Sequence, residues 1–564
     1  MSIRRGTALI LLAALLLNSA VQAAEPGSQA VASAHPVATA AGHRILDQGG
    51  NAFDAAIAVA ATLGVVEPYG SGLGGGGFFL LREAQPDKPQ YHFLDARETA
   101  PLAADRAFYQ DENGQFQRDP AINGPRAAGI PGLPAALVML ANEHGRLPLS
   151  RSLQPAIEAA EQGFAVTSRY RAFGQFRLAA MQADHETARL FLREGQMPAE
   201  GTLIQQPELA QTLRRLATEG REGFYTGPVA EQLLSGVQAA GGVWQQADLD
   251  NYRVIRREPI RFQSQGMQVI TAPLPSAGGI LLATVLQGLE HLPAQAHGSV
   301  AQTHQLVELM RRSYRDRLLL GDSDFHAVPV DRLTSPQHAI SLASSIDPER
   351  ATPSTELGPP APFSEGTNTT HFSLMDSDGN AVSATLSINL PFGAAFTVPG
   401  TGILLNNEMD DFATDPQGAN SYELRGSEAN AVAPGKRPLS SMTPTMLESD
   451  SQLAVLGTPG GSRIISMVLL ASLEALRGQP PEAWVSRPRF HHQYLPDHIQ
   501  VEEQAFSPEH TAALKALGHR IEAVGRDYGD MQVLHWDKAS GELSAASDPR
   551  GLGSASVQQP LKAR

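Results

Sequence analysis

Gly366-Thr367-Asn368-Thr369-Thr370-His371-Phe372-Ser373 is the stretch whose reading decides the fold. It follows a segment rich in proline and serine, Ala351 to Glu365, and opens an alternating run. Thr370, Phe372 and Leu374 recur at every second residue, the period of a strand with one buried face. A threonine that begins a strand directly after breaker-rich chain is well placed to act as a nucleophile. A cut between Asn368 and Thr369 would give Thr369 a free α-amine, and that amine can serve as general base for the hydroxyl of the same residue. Its pKa of about 8 suits proton transfer at neutral pH. Alone, the signal is weak. β-branched pairs are common in strands, and Thr369 in isolation reads as a plain strand residue.

The chain has 564 residues and is 42% hydrophobic, which is ample for a large core. At roughly 150 residues per unit the length suggests three or four units, or one large interwoven domain. The 52 glycines and 40 prolines imply many turns without reaching a disordered or collagen-like composition. A net charge of −15 argues against nucleic acid as a partner and still allows a local cationic pocket. With no cysteine there are no disulfides, no thiolate nucleophile, no zinc–thiolate site and no lipoprotein signal. Residues 1–23 read as a secretory signal: Arg4 and Arg5, an apolar Ala8 to Leu17, then Val21-Gln22-Ala23 before the cut. The apolar run is about ten residues, too short to span a bilayer, and no later stretch suits a membrane helix. A periplasmic or secreted location is expected.

Along the chain, Ala38 to Gln48 and Ala52 to Val66 read as helices, the second buried on most sides. Six glycines follow between Gly70 and Gly77. They do not read as a phosphate cradle, because no Lys-Ser/Thr follows and the loop runs from a helix into a strand (Phe78 to Arg82). Close backbone packing near a site fits better. Asp95-Ala96-Arg97-Glu98-Thr99-Ala100-Pro101 lies at a strand end. A helical section runs from Gly129 to about Gly241, Val254 to Ala272 alternates as strands, and Pro273 to Gly279 reads as a turn. Helices are expected over Ile280 to Leu292, Gln302 to Leu320 and Ile464 to Leu476, with strands dominating after Thr369.

Four more clusters follow Thr369: Ser387-Ile388-Asn389, Asn406-Asn407-Glu408-Met409-Asp410-Asp411, Pro438-Leu439-Ser440-Ser441-Met442 and Gly457-Thr458-Pro459-Gly460-Gly461-Ser462-Arg463. Each has a bland reading as a turn or capping pair. Taken with Arg97, Thr369 and the Gly-rich loop, in this order and spacing, they closely resemble the γ-glutamyltranspeptidase family over nearly the whole mature chain. The resemblance implies an α+β fold of the N-terminal nucleophile hydrolase type, an αββα sandwich of stacked antiparallel sheets flanked by helices. It implies a precursor cut at Asn368/Thr369 into a large subunit (24–368) and a small subunit (369–564), interwoven as a heterodimer. Thr369 would be the nucleophile, supported by Ser387, with Gly460 and Gly461 as the oxyanion hole. Arg97 would hold the substrate α-carboxylate, joined by Ser440 and Ser441, while Asn389, Glu408 and Asp411 would hold the α-ammonium. Tyr422 falls at the place of a lid aromatic. No cofactor and no metal is expected.

The chemistry of these residue types agrees. A γ-glutamyl group ends in a zwitterionic head, which calls for a guanidinium fork for the carboxylate and anionic or carbonyl acceptors for the ammonium. Glutathione and other γ-glutamyl compounds would be donors, and water, amino acids or peptides the acceptors. The Arg97 guanidinium could instead be a plain ion pair with Glu98. Ser387 departs from the family's usual threonine by one methyl, and Leu390 to Pro399 is less standard than its flanks. Two other readings compete: a glutaryl- or cephalosporin-type acylase, which has less need of Asn389, Glu408 and Asp411, and an uncleaved amino-acid-binding protein without activity.

Overall fold

The computed structural model describes residues 25–85, 88–358, 369–413 and 427–561. The expected signal segment, Asn368 and Tyr422 lie outside these residues.

Two large sheets dominate. Their strands in chain order are β1 (Gln29–Ser33), β2 (Gly76–Glu83), β3 (Gln90–Ala96), β4 (Ile255–Arg257), β5 (Ile260–Ser264), β6 (Met267–Thr271) and β7 (Thr369–Met375). After these come β8 (Ala381–Ser387), β9 (Thr445–Glu448), β10 (Gln452–Gly457), β11 (Gln532–Asp537), β12 (Leu543–Ser547) and β13 (Ser554–Gln558). The seven-stranded sheet has the order β13-β1-β7-β8-β2-β3-β4 and the six-stranded sheet β12-β11-β10-β9-β6-β5. Their pairings are antiparallel. Strands that precede Thr369 alternate in space with strands that follow it: β1 lies between β13 and β7, and β8 pairs with β2. The chain is therefore one interwoven unit rather than three or four.

Alternation along the strands shows how the layers stack. Phe79, Leu81, Phe372 and Leu374 face a core shared with helices α1 (Pro36–Asp47) and α2 (Ala52–Val66) and with the helical section beyond Leu133. Phe78, Leu80 and Met375 face the opposite way, into a core shared with β9, β10 and β11. The far side of that second sheet is covered by α3 (Gly278–Glu290), α4 (Val300–Asp316) and α5 (Arg463–Leu476). Helix, sheet, sheet and helix thus form the four-layer αββα sandwich.

Three sequence expectations shift. β7 was read with one buried face, yet all seven of its residues are buried. Its second face carries Thr369, His371 and Ser373, whose polarity mimics a solvated face. That face meets the other sheet through hydrogen bonds such as Ser373 Oγ to the Gln532 carbonyl (3.0 Å) and, from β8, Ser383 Oγ to the Leu456 carbonyl (3.0 Å). Gly278 and Gly279 were read as turn but lie inside α3. A Cβ on Gly278 would stand 1.9 Å from Thr443 Oγ1, so these glycines permit close packing rather than a bend. The helix expected to reach Leu320 ends at Asp316 and gives way to a 3-10 turn, Arg317–Leu319. The apolar α2 is as buried as expected, and Asn51 and Asp54 together cap its start: Asn51 Oδ1 accepts from the Phe53 and Asp54 amides while Asp54 Oδ2 accepts from the Asn51 amide.

The Gly-rich loop packs as its composition implies. A Cβ on Gly74 would lie 2.0 Å from the Leu404 carbonyl oxygen, and one on Gly75 2.2 Å from that of Ser387. Backbone meets backbone here, so no side chain can swing aside. Gly75→Ala should destabilise the fold by about 1–3 kcal/mol through overpacking, read as a lowered Tm, and should lower activity by displacing Ser387. A variant with wild-type Tm and activity would show that this contact can relax.

Candidate active site

The hairpin β7–β8 sets the centre of the site. Its turn is tied by Asp376, whose Oδ1 accepts from the amides of Asp378 (3.0 Å) and Asn380 (2.9 Å). That turn fixes the register, which places Ser387 directly opposite Thr369. Thr369 is 8% exposed, and its Oγ1 has no hydrogen-bond partner among the described residues. Beyond β8 the chain bends at Asn389, whose φ of 72° is left-handed, a conformation asparagine tolerates. The Asn389 amide donates to Ser387 Oγ (2.8 Å) and its Nδ2 to the Asn407 carbonyl (2.8 Å), which leaves Oδ1 buried and without a hydrogen-bond partner among the described residues.

One cleft is lined by Arg97, Thr369, Ser387, Asn389, Asp411, Ser440, Ser441 and Gly461, with Met442 and Ile464 completing it. Glu408 stands immediately behind: its Oε2 lies 2.8 Å from Arg97 Nη1, while Arg97 Nη2 donates to Asp411 Oδ2. Arg97 Nε donates to the Pro438 carbonyl (3.2 Å). The residues expected to bind opposite ends of a zwitterion are thus paired with one another. The cleft has room for about one water, ≈ 20 Å³.

Each part is held from behind. Asp95 closes β3, accepts from the Arg97 amide (3.0 Å) and pairs with Arg437 (2.7 Å) and Arg257 (2.7 Å). Tyr252 donates to the Arg97 carbonyl (2.9 Å). Asn406, read from sequence as part of a turn, joins three segments: Nδ2 donates to the carbonyls of Gly74 and Gly129 (both 2.7 Å) and Oδ1 accepts from the Gly129 and Glu408 amides (both 2.9 Å). Ser440 is fixed by its amide to the Pro275 carbonyl (2.8 Å) and by its carbonyl to the Ala277 amide (2.8 Å). At the end of β10, Gly460 and Gly461 both have positive φ, 142° and 59°, just before α5. Among the described residues the amide of neither donates to another group. Gly461 reaches the cleft lining and Gly460 does not.

Burial and charge oppose each other in this cluster. Burial works against the charge of Arg97, but Glu408, Asp411 and Glu98 outweigh it and hold the guanidinium above its ordinary pKa. Burial pushes Glu408 well up against the pull of Arg97. Glu98 is fully buried 3.7 Å from Arg97 Nη1, and here too burial wins, pushing its carboxyl to about 7. Arg317, 3.4 Å from the Ser440 carbonyl, is brought down to about 9 by burial. Glu98 and Arg317 were not singled out from sequence as site residues. Glu98 was visible only as a neighbour of Arg97, and Arg317 sat inside an unremarkable helical run.

Glu98 also makes stability depend on pH. Its folded pKa is raised from 4.5 to about 7, so the bound proton favours the fold fully below the unfolded value. That contribution is lost as pH rises through about 7. Glu98→Gln stays neutral at every pH. Its Tm should approach that of the wild type near pH 5 and exceed it near pH 8. Parallel Tm–pH curves over that window would mean that Glu98 is ionised throughout in the fold.

Residues 38–558 match the family described as Gamma-glutamyltranspeptidase. The chain is similar to the glutathione hydrolase proenzyme of Pseudomonas aeruginosa, 39% identical over 554 residues that cover 96% of this chain and 97% of the relative. The corresponding Escherichia coli proenzyme is 38% identical over 530 residues, 93% of this chain and 90% of its own. Among solved structures, cephalosporin acylase from Bacillus halodurans superposes with a TM-score of 0.81 at 28% identity, over 95% of this chain and 96% of that one. Helicobacter pylori gamma-glutamyltranspeptidase superposes with a TM-score of 0.56 at 32% identity, over 61% of this chain and 97% of that one. The sandwich is the N-terminal nucleophile hydrolase fold. With its glycine loop, β7 start and Arg97 cluster in place, the chain belongs to the γ-glutamyltranspeptidase family.

Proposed function

We propose that the protein is a γ-glutamyltransferase and glutathione hydrolase working through a self-processed threonine. The observation that carries this reading is the placement of Arg97, flanked by Glu408 and Asp411, in one cleft with the hydroxyl of Thr369, which has no hydrogen-bond partner among the described residues. A γ-glutamyl head brings one carboxylate and one ammonium. It enters by exchanging partners: its carboxylate takes the Arg97 fork together with Ser440 and Ser441, and its ammonium takes Glu408, Asp411 and Asn389 Oδ1.

Thr369 Oγ1 then attacks the γ-amide carbonyl, its proton passing to the α-amine of the same residue. The amides of Gly460 and Gly461 stabilise the oxyanion. The leaving amine takes up that proton and departs, which leaves a γ-glutamyl ester on Thr369. Water or the amine of an amino acid or peptide attacks the ester and returns the hydroxyl. Ser387, opposite Thr369, keeps the nucleophile oriented. The donor beyond its head lies outside this recognition, so a range of γ-glutamyl amides is accepted.

The same hydroxyl cuts the precursor at Asn368/Thr369. The names of the P. aeruginosa and E. coli relatives, which call them proenzymes, support processing. Residues 24–368 make up 345 of 564, the same 61% share of this chain that the H. pylori chain spans. The signal at 1–23 directs export, and among the described residues no helix is long and apolar enough to cross a membrane. The likeness to a cephalosporin acylase extends to the fold, but Asn389, Glu408 and Asp411 together suit an ammonium that a glutaryl side chain lacks. An inactive binding protein does not call for a threonine at a strand start whose hydroxyl has no hydrogen-bond partner among the described residues.

Intact mass of the exported protein should show two chains, the smaller beginning at Thr369 and ending at Arg564. Thr369→Ala should remain a single chain without turnover, and a processed, active variant would remove Thr369 from its role. Arg97→Lys keeps the charge but loses the fork, so KM for a γ-glutamyl anilide should rise on the order of 10–100-fold with kcat little changed. An unchanged KM would exclude Arg97 from head-group binding.

A further inference from the structure

His371 follows the nucleophile by two residues and so points from the same face of β7, toward the six-stranded sheet. It is wholly buried and lies opposite Thr385. Its Nδ1 is 2.9 Å from Thr385 Oγ1 and its Nε2 3.2 Å from Ser373 Oγ. Because Ser373 Oγ donates to the Gln532 carbonyl (3.0 Å), it accepts from His371. This assigns the proton to Nε2 and leaves Nδ1 to accept from Thr385. Both ring nitrogens are satisfied without a charge, and burial lowers the pKa to about 3. Nothing in the two-step chemistry uses this ring.

What the ring does touch is Gly457, the last residue of β10. A Cβ on Gly457 would fall 2.2 Å from His371 Cε1, 2.6 Å from Nδ1 and 2.7 Å from Nε2. The imidazole thus occupies the place where a side chain at 457 would be. Gly457 is also the root of the loop that carries Gly460 and Gly461. That loop is pinned on its other side, where Thr458 Oγ1 accepts from the Asp530 amide (3.2 Å).

We propose that His371 is a positioning residue: a neutral, doubly hydrogen-bonded spacer that sets the gap between the nucleophile strand and the glycine loop serving as oxyanion hole. The inference rests on the roles proposed for Thr369, Gly460 and Gly461. The ring stands between two strand backbones that must hold Thr369 Oγ1 and the Gly460 and Gly461 amides in one attack geometry. Ring size, rather than ring charge, fixes that separation.

A double-mutant cycle on the exported protein tests this. Kcat and KM for a γ-glutamyl anilide, the extent of precursor cleavage and Tm are measured for His371→Ala, Gly457→Ala and the double variant. Gly457→Ala pushes the ring and should lower kcat about 100-fold, with KM within about twofold because the Arg97 cluster is untouched. His371→Ala should lower kcat about tenfold and leave the pH profile of kcat unmoved, since no titrating group is lost. In the Gly457→Ala background, His371→Ala should restore kcat about tenfold by making room for the new methyl. If Gly457→Ala alone is insoluble, the double variant should recover soluble, processed protein. Additive effects, or a double variant no better than Gly457→Ala, overturn the spacer. A pH profile shifted by His371→Ala overturns it as well, by giving the ring a proton-transfer role. The two readings fail separately: an active Thr369→Ala protein defeats the proposed function, whereas additivity in a processed, active enzyme defeats only the spacer.

Discussion

One guanidinium, 1% exposed, faces three buried carboxylates, and most of the architecture serves to keep that arrangement together. Taking such charges out of water costs several kcal/mol per ion and is repaid only with close pairing and further hydrogen bonds. Arg97 has that pairing in Glu408 and Asp411, but one positive charge cannot neutralise three acids. Burial drives the carboxyls of Glu98 and Glu408 upward, against the pull of Arg97. The side chains proposed to hold a carboxylate and an ammonium thus hold one another.

Holding residues 97, 408 and 411 together requires scaffolding that reaches across the chain. Asp95 supplies part of it, binding Arg437 and Arg257 while orienting the Arg97 amide. Asn406 supplies another part, since its four side-chain hydrogen bonds all go to backbone groups, three of them in the distant segments at Gly74 and Gly129 and one at the nearby Glu408. The glycine loop supplies the last, because only residues without Cβ let Gly74 and Gly75 run against the carbonyls of Leu404 and Ser387. Thr369 on β7 and Arg97 just beyond β3 are thus both set by the seven-stranded sheet, while Glu408 and Asp411 are held against it through Asn406 and Arg97.

Much of this was legible in the sequence, and what escaped notice did so for physical reasons. Thr369, Ser387, Asn389, Arg97 and the Ser440–Ser441 pair were readable because each belongs to a short local motif, and the cleft brings them together. The second buried face of β7 was not readable. His371 satisfies its ring nitrogens within its own sheet and Ser373 bonds across the sheet interface, and a polar residue with a buried partner looks the same in sequence as one in water. Gly278 and Gly279 misled for a related reason, since glycine marks close approach as readily as it marks a turn. Arg317 carries no local signal, and Glu98 shows only as a neighbour of Arg97. Their importance arises from what long-range folding places beside them.

The interleaving of strands has a consequence for how such a protein would age. β1 is clasped between β13 and β7, and β8 is paired with β2, so a backbone break ahead of Thr369 leaves two polypeptides that share one sheet. They cannot part without tearing out central strands, and once parted they must find each other again by diffusion. Unfolding then becomes a dissociation whose reversal depends on concentration. At high dilution outside a cell that reversal is lost, and the lifetime of the enzyme is set by the height of its unfolding barrier rather than by its equilibrium stability.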